Sequence, residues 1–179
     1  WVAQGISANQ SLGDLWAPVW QSLYVSALAA VISMICSIPI TILAVRYPNK
    51  LSSLIERSTY LGFAIPGISV ALGIVFFSIK FMSPIYQTII LLLFAYTVLF
   101  LPAAVASAKS ALLSVNPKLE DAARGLGKNR TQVFRLITLP LMWRGTLTGG
   151  VLVFLLAMKE LPATLILSPL GFKTLATTI

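Results

Sequence analysis

The residues able to do chemistry in this chain are few, and they are concentrated in two places. The 179 residues include no His, one Cys, five acidic and thirteen basic side chains. Acid–base or nucleophilic catalysis would want a His or paired carboxylates beside a reacting group. With no His and no cluster of acids, neither enzyme chemistry nor a metal site is expected, and Cys36 alone cannot form an internal disulfide. The first concentration is EDAARGLGKNRTQVFRLITLPL, residues 120–141, where charges and two glycines sit between long apolar runs. The second is Lys159-Glu160 followed by Pro162, a charged pair beside a helix breaker. Within the first, GLGKNR has the look of a phosphate-binding loop. That loop needs G-x-x-x-x-G-K-[ST], whereas Ala122 stands where the first Gly belongs and Asn129 where Ser or Thr belongs. No nucleotide or other cofactor is expected on this chain.

The elements that must hold these residues are membrane spans. Hydrophobic residues make up 58% of the chain and charged residues 10%, against about 25% charged in an average globular domain. No charge interrupts the 24 residues Ser22–Val45, the 22 residues Ser58–Ile79 or the 28 residues Phe81–Ala108. A spanning helix needs about 20 apolar residues, so these are three spans of an all-α, polytopic bundle in a lipid bilayer. A fourth is shorter: Gly145–Met158 has only 14 charge-free residues, and extending it takes in Arg144, whose guanidinium can reach the headgroups, or Lys159 and Glu160. Alternating the spans puts Arg46, Lys50, Arg57, Lys109, Lys118, Arg124, Lys128, Arg130, Arg135 and Arg144 on one side and only Lys80, Lys159 and Lys173 on the other. That asymmetry marks the first side as cytoplasmic and explains the net charge without nucleic acid. Trp1, Trp16, Trp20 and Tyr24 then fall at the outer interface, where amphipathic rings collect.

The charged segment carries its own folding signals. Asn116 suits an N-cap and Pro117 the first helical position, with Glu120 and Asp121 near the positive end of the helix dipole. Leu119, Ala122, Ala123 and Leu126 recur on one helical face, flat enough for close contact because two of the four are Ala. Gly125 and Gly127 supply the stop. Asn129 with Gln132 three residues later reads as a second N-cap, Val133, Phe134 and Ile137 as its apolar face, and Pro140 as its end. The expectation is a helix–Gly–helix hairpin over residues 116–141. Elsewhere, Pro66 should kink the second span, and the small residues of IPGISVALG and GTLTGG suit close helix packing.

The hairpin resembles the cytoplasmic signature of ABC-importer permeases, E-A-A-x3-G-x9-I-x-L-P. Here it reads Asp121-Ala122-Ala123, Gly127, Ile137 and Leu139-Pro140, with every spacing kept and Asp in place of the leading Glu, although Glu120 stands just before it. MKELPATLILSPLGFKTLATTI, residues 158–179, is similar to the segment after the fourth core span in permeases of the ferric-iron type; thiamine, polyamine and phosphonate permeases share the architecture. The resemblance implies that residues 1–179 are a type I permease domain, the second of two halves fused in one polypeptide and short of its final span. It implies a multi-pass protein of the bacterial cytoplasmic (inner) membrane and a periplasmic or extracellular binding protein that delivers substrate. It also implies a separate ATP-binding subunit that hydrolyses the ATP. That subunit would dock on Glu120, Asp121, Ala122, Ala123, Gly127, Phe134, Ile137, Leu139 and Pro140. An ion-coupled secondary transporter would want ionisable groups at mid-membrane, and the first three spans have none.

Lys159, Glu160 and Pro162 admit two readings. A span starting near Arg144 reaches the outer third of the bilayer at this pair, where ionisable groups usually line a water-filled path or gate. Alternatively the two side chains form a structural ion pair at the outer surface. One Glu is too few oxygen ligands to hold a hard metal ion tightly. The topology is testable with Cys36 replaced by Ser. A cysteine at Lys128 should react with an impermeant thiol reagent only from the cytoplasm and one at Ser83 only from outside; the reverse pattern would overturn the orientation.

Overall fold

A computed structural model of the chain describes residues 16–169, 171, 172, 174 and 177, and every regular element in them is helical. In chain order these are α1 (Trp16–Arg46), α2 (Lys50–Thr59), α3 (Leu61–Ala64), α4 (Gly67–Phe81), a single 3₁₀ turn (Ser83–Ile85) and α5 (Ile89–Leu113). There follow α6 (Pro117–Gly125), α7 (Arg130–Val133), a π-helical turn (Phe134–Thr138), α8 (Leu139–Met158) and α9 (Pro162–Leu167). Trp1 and Lys173 lie outside the described residues.

The core is made by α1, α5 and α8. Lipid tails are as apolar as Leu, so helices in a bilayer associate through close packing and interhelical hydrogen bonds. The burial pattern follows that rule. On α1 most inward residues are small, Ser22, Ser26, Ala29, Ala30, Ser33 and Ser37 beside Val25 and Met34, while Trp20, Val31 and Ile35 face outward. Between α5 and α8 the approach is closest. A methyl built on Gly145 would lie 2.6 Å from the Cβ of Ala111, and one on Gly149 would lie 2.5 Å from the Cβ of Ser107. The GTLTGG stretch is therefore a packing surface. A second apolar group, Ala111, Leu112, Val115 and Met142, closes the basic end of the bundle.

The second span, expected over Ser58–Ile79 with a kink at Pro66, bends sharply there: an arm of α2 and α3, Lys50–Ala64, meets α4 at 107°. Pro66 is the cause. The residue before a proline is pushed out of the helical region, and Ile65 is extended at φ −104° and ψ 128°. The arm starts with a capping box between Asn49 and Ser52, and Glu56 pairs with Lys109 of α5. At its far end Gly62 passes close to the carbonyl of Val98, 2.8 Å from where a Cβ would stand. Pro102 has no N–H to give that carbonyl, so the α3 backbone packs onto the irregular turn of α5.

The fourth span is also longer than expected, running unbroken through Arg130–Met158, 29 residues. Pro140 does not end the second hairpin helix. The preceding π turn absorbs it: the Leu139 N–H bonds back to the Phe134 carbonyl, and Pro140 falls in the first turn of α8, where a missing N–H is tolerated. Among the described residues three helices are long and apolar enough to cross a membrane, or four if the bent pair counts as one span. The Arg46–Glu120 and Glu56–Lys109 ion pairs bring residues 46–57 and 109–120 to one end of the bundle, as the charge asymmetry requires.

Packing at Gly149 sets a test. Gly149→Val should force α5 and α8 apart at a cost of about 1–3 kcal/mol, seen as a lower melting temperature of the detergent-solubilised protein. Gly73→Ala, with nothing within 4 Å of the added methyl, should melt no lower than the parent. Equal melting of the Gly149 and Gly73 variants would refute the close contact.

Candidate functional site

The hairpin forms as its capping signals require, except at Pro140. The Asn116 side chain accepts from the Lys118 N–H at 3.0 Å, and Pro117 opens α6. The helix ends in two bonds that close over Gly127: Lys128 N–H to the Ala123 carbonyl at 3.1 Å and Gly127 N–H to the Arg124 carbonyl at 2.9 Å. This Schellman closure needs a left-handed residue at its turn, and Gly127 has φ +81°. Gly125, the other expected stop, is simply the last residue of α6. Asn129 and Gln132 then form a reciprocal capping box at 2.9 and 3.0 Å, which starts α7.

The faces of α6 sort the candidate residues differently from the expectation. Ala123 and Glu120 are buried, whereas Leu119 and Leu126 are 49% and 83% exposed. Asp121 and Ala122 are exposed as well. The expected single face is thus divided, with Ala123 inward and Leu119, Ala122 and Leu126 outward. Glu120, expected at the docking surface, is turned into the protein. One of its oxygens accepts from Arg46 Nη2 at 3.1 Å and from the Thr138 hydroxyl at 2.9 Å. Asp121 is free of the core and pairs only with Arg124 on its own helix, at 3.2 Å. In the second limb, Phe134, Ile137 and Leu139 are half-buried and Pro140 is exposed. Phe134 lines a cleft with Arg46, Tyr47, Glu120, Arg124 and Arg130, and the Arg130 guanidinium lies 5.6 Å from the Tyr47 ring centre.

At the opposite end of the bundle, α8 stops at Met158 and Pro162 opens α9, so the chain breaks at Lys159–Leu161 as Pro162 demands. The ion pair between Lys159 and Glu160 does not form; the three ion pairs among the described residues lie elsewhere. Lys159 points outward, while Glu160 is half-buried. The Glu160 carboxylate accepts from the Ala163 N–H at 3.2 Å, and its backbone carbonyl accepts from the Thr164 hydroxyl. Thr164 is also bonded to the Tyr96 hydroxyl. A Cβ on Gly67 would stand 2.8 Å from a Glu160 oxygen, so the carboxylate rests at the start of α4, where the helix dipole favours negative charge. Both proline breaks, at Pro66 and Pro162, therefore meet at one carboxylate. Tyr96 lies seven residues into α5, about 10 Å from its outer end at 1.5 Å per residue. Sequence reasoning missed Tyr96, although a lone phenol inside an apolar run is a signal, and it missed Arg46 and Thr138, for which it offers none.

Residues 37–179 match the family described as the inner membrane component of binding-protein-dependent transport systems. The chain belongs to this family. The permease is 36% identical over 179 residues to the Fe(3+)-transport system permease protein FbpB 2 of Haemophilus influenzae, covering 98% of this chain and 35% of that one. It is 32% identical to the molybdenum transport system permease protein ModB of Escherichia coli, over 84% of this chain and 70% of ModB. A Salmonella typhimurium permease named for 2-aminoethylphosphonate transport, PhnV, is 27% identical over 96% of this chain and 64% of its own. The chain thus spans 35% and 64% of the lengths of FbpB 2 and PhnV. The fold is that of a chain of the MetNI methionine ABC transporter, solved in inward-facing conformations, with TM-score 0.69 and 19% identity over 83% of this chain and 73% of that one. It is an ABC-importer permease fold, all-helical as expected.

The outer node gives a charge-specific test. Glu160→Gln keeps an oxygen to accept from Ala163 and removes the charge. Substrate uptake into membrane vesicles, normalised to permease content, should fall several-fold with abundance unaltered. Uptake and ATPase stimulation at wild-type levels would leave Glu160 as a helix cap alone.

Proposed function

We propose that this permease carries substrate from an external binding protein into the cytoplasm by alternating access, driven by ATP hydrolysis on a separate subunit docked on the hairpin. The observation that carries the reading is the outward face of α6. Leu119, Asp121, Ala122 and Leu126 stand clear of the core on a short helix fixed at both ends by caps. Exposed Leu side chains on and just after a short helix that also carries Lys118, Glu120, Asp121 and Arg124 suit a protein cleft better than water. The second limb of the hairpin is itself the start of a 29-residue helix, Arg130–Met158, so a push on the hairpin is delivered to a span. The basic end faces the cytoplasm by the positive-inside asymmetry, and the family's description as an inner membrane component supports the inner membrane of a bacterium.

Ferric iron is the preferred substrate. Its support is the 36% identity to FbpB 2 along 98% of this chain, against 32% for ModB along 84% and 27% for PhnV along 96%, although a Haloferax volcanii permease named for molybdenum is 39% identical along 48% of it. The matched stretch is 35% of the FbpB 2 length, which leaves room for a first permease half in the same polypeptide. At the outer node the half-buried Glu160 carboxylate is the hard oxygen donor suited to a passing cation, while Tyr96 and Thr164, buried and bonded to each other, hold the helix break beside it. One carboxylate is too little for tight retention, as a conducting path requires.

Docking is tested at the two outward features. Gly127→Val puts a β-branched residue at φ +81°, which such residues avoid, and Asp121→Lys reverses the exposed charge. Each should lose the co-purifying ATP-binding subunit and ATP-driven uptake while the permease still inserts. Full retention of the subunit by both variants would refute the docking role. Uptake of labelled ferric iron, molybdate and 2-aminoethylphosphonate by the intact transporter decides the substrate.

A further inference from the structure

Glu120 is a carboxylate with only 7% of its side chain exposed. Removing a carboxylate from water costs several kcal/mol unless a partner and hydrogen bonds compensate. Here both are supplied, and by different elements. Arg46 is the last residue of α1, and its Nη2 reaches both Glu120 Oε1 and the carbonyl of Val115, each at 3.1 Å. Val115 follows directly on α5. Thr138 closes the π turn at the foot of α8 and donates to the same Glu120 oxygen at 2.9 Å. One carboxylate oxygen therefore ties the hairpin helix to the ends of the first and fourth spans, and Arg46 extends the tie to the chain leaving the third. Ala111, Leu112, Val115 and Met142 form a buried apolar cluster at the same end of the bundle.

The π turn has a purpose in this arrangement. It inserts an extra residue into the helical register, and each residue of an α-helix turns the next side chain by about 100°. Thr138 meets Glu120 because of that insertion. π turns inside longer helices recur at functional positions for this reason. Without the knot, α6 would keep the packing of Ala123 but lose its polar tie to the spans, and its chain connections, Ser114–Asn116 on one side and Leu126–Asn129 on the other, are turns about which a short helix can pivot.

We propose that Glu120, held by Arg46 and Thr138, is a positioning residue for energy coupling: it makes the hairpin and the first and fourth spans move as one body, and so sets how much substrate crosses per ATP. This rests on the docking of the ATP-binding subunit proposed above. It assigns Glu120 and Asp121, adjacent in sequence, to opposite duties, the first toward the spans and the second toward the partner.

The test uses the complete transporter, with permease, ATP-binding subunit and binding protein, in proteoliposomes. It measures the ATP-binding subunit retained and the substrate transported per ATP hydrolysed. Glu120→Gln and Arg46→Gln should each retain the subunit while transport per ATP falls about tenfold, within the range by which residues between two sites alter their coupling. The double variant should fall no further than either single one, because both remove the same knot. Thr138→Val, nearly isosteric and leaving the ion pair in place, should lower the ratio about threefold and guards against misfolding of the charge variants. Wild-type transport per ATP in all of them would overturn the proposal, as would multiplicative losses in the double variant. Loss of the ATP-binding subunit in Glu120→Gln would also overturn it, by making Glu120 a docking residue. The docking reading fails separately, and takes this proposal with it, if Asp121→Lys keeps both the subunit and normal transport.

Discussion

Helices in hydrocarbon gain nothing by burying leucine against leucine, because the lipid offers the same contact. The join of α1, α5 and α8 must come from closeness. Gly145 against Ala111 and Gly149 against Ser107 bring two backbones to a separation that no larger residue permits. The small, partly hydroxylated face of α1 fits the same bundle. Many large apolar residues, among them Trp20, Ile35 and Phe76, face outward. Every other feature depends on this rigid trio, since both sites are built on chain that leaves it or returns to it.

Backbone polar groups inside a bilayer must find partners within the protein, so each irregular turn has to be supported. Prolines mark the irregular places, and each is supported differently. Pro102 frees the Val98 carbonyl, over which Gly62 passes. Pro66 and Pro162 expose two helix starts, and Glu160 covers both. Pro140 is absorbed by a π turn, which also delivers Thr138 to Glu120. Polar side chains collect where the helical ladder is interrupted, because an interrupted ladder is the one place in oil where a charge finds ready dipoles. The two candidate sites thus share a cause, one carboxylate at each end of the bundle beside a proline-linked irregularity.

How much of this was legible in the sequence depended on how local the signal was. The caps at Asn116 and Asn129, the turn at Gly127 and the breaks at Pro66 and Pro162 are decided by a few adjacent residues, and all formed as read. The first and third spans are decided by length and apolarity. Pro140 misled because its usual effect was cancelled by the π turn before it, which no residue type announces. The faces of α6 misled for another reason. In a nine-residue helix with two alanines, periodicity barely distinguishes inward from outward, so the tie is broken by a distant partner. That partner, Arg46, lies 74 residues earlier, at the end of a run that reads only as a span. The Lys159–Glu160 pairing misled because adjacent residues suggest a pair, whereas the carboxylate had helix N–H groups within reach.

Charge placement explains why a carboxylate, rather than another arginine, lies inside the hairpin. The basic end of the bundle carries the excess of Lys and Arg that fixes orientation in the membrane, and these cations repel one another when the span ends converge. Arg46, Arg124 and Arg130 all border one cleft. A buried negative charge among them lets α1 end against α6, and a second carboxylate one residue later holds Arg124 on the surface. Consecutive helical positions lie about 100° apart, so an acidic pair in α6 necessarily faces two ways. The same two residues that neutralise the crowded cations can therefore bind the hairpin to its own spans on one side and leave a charge facing outward on the other.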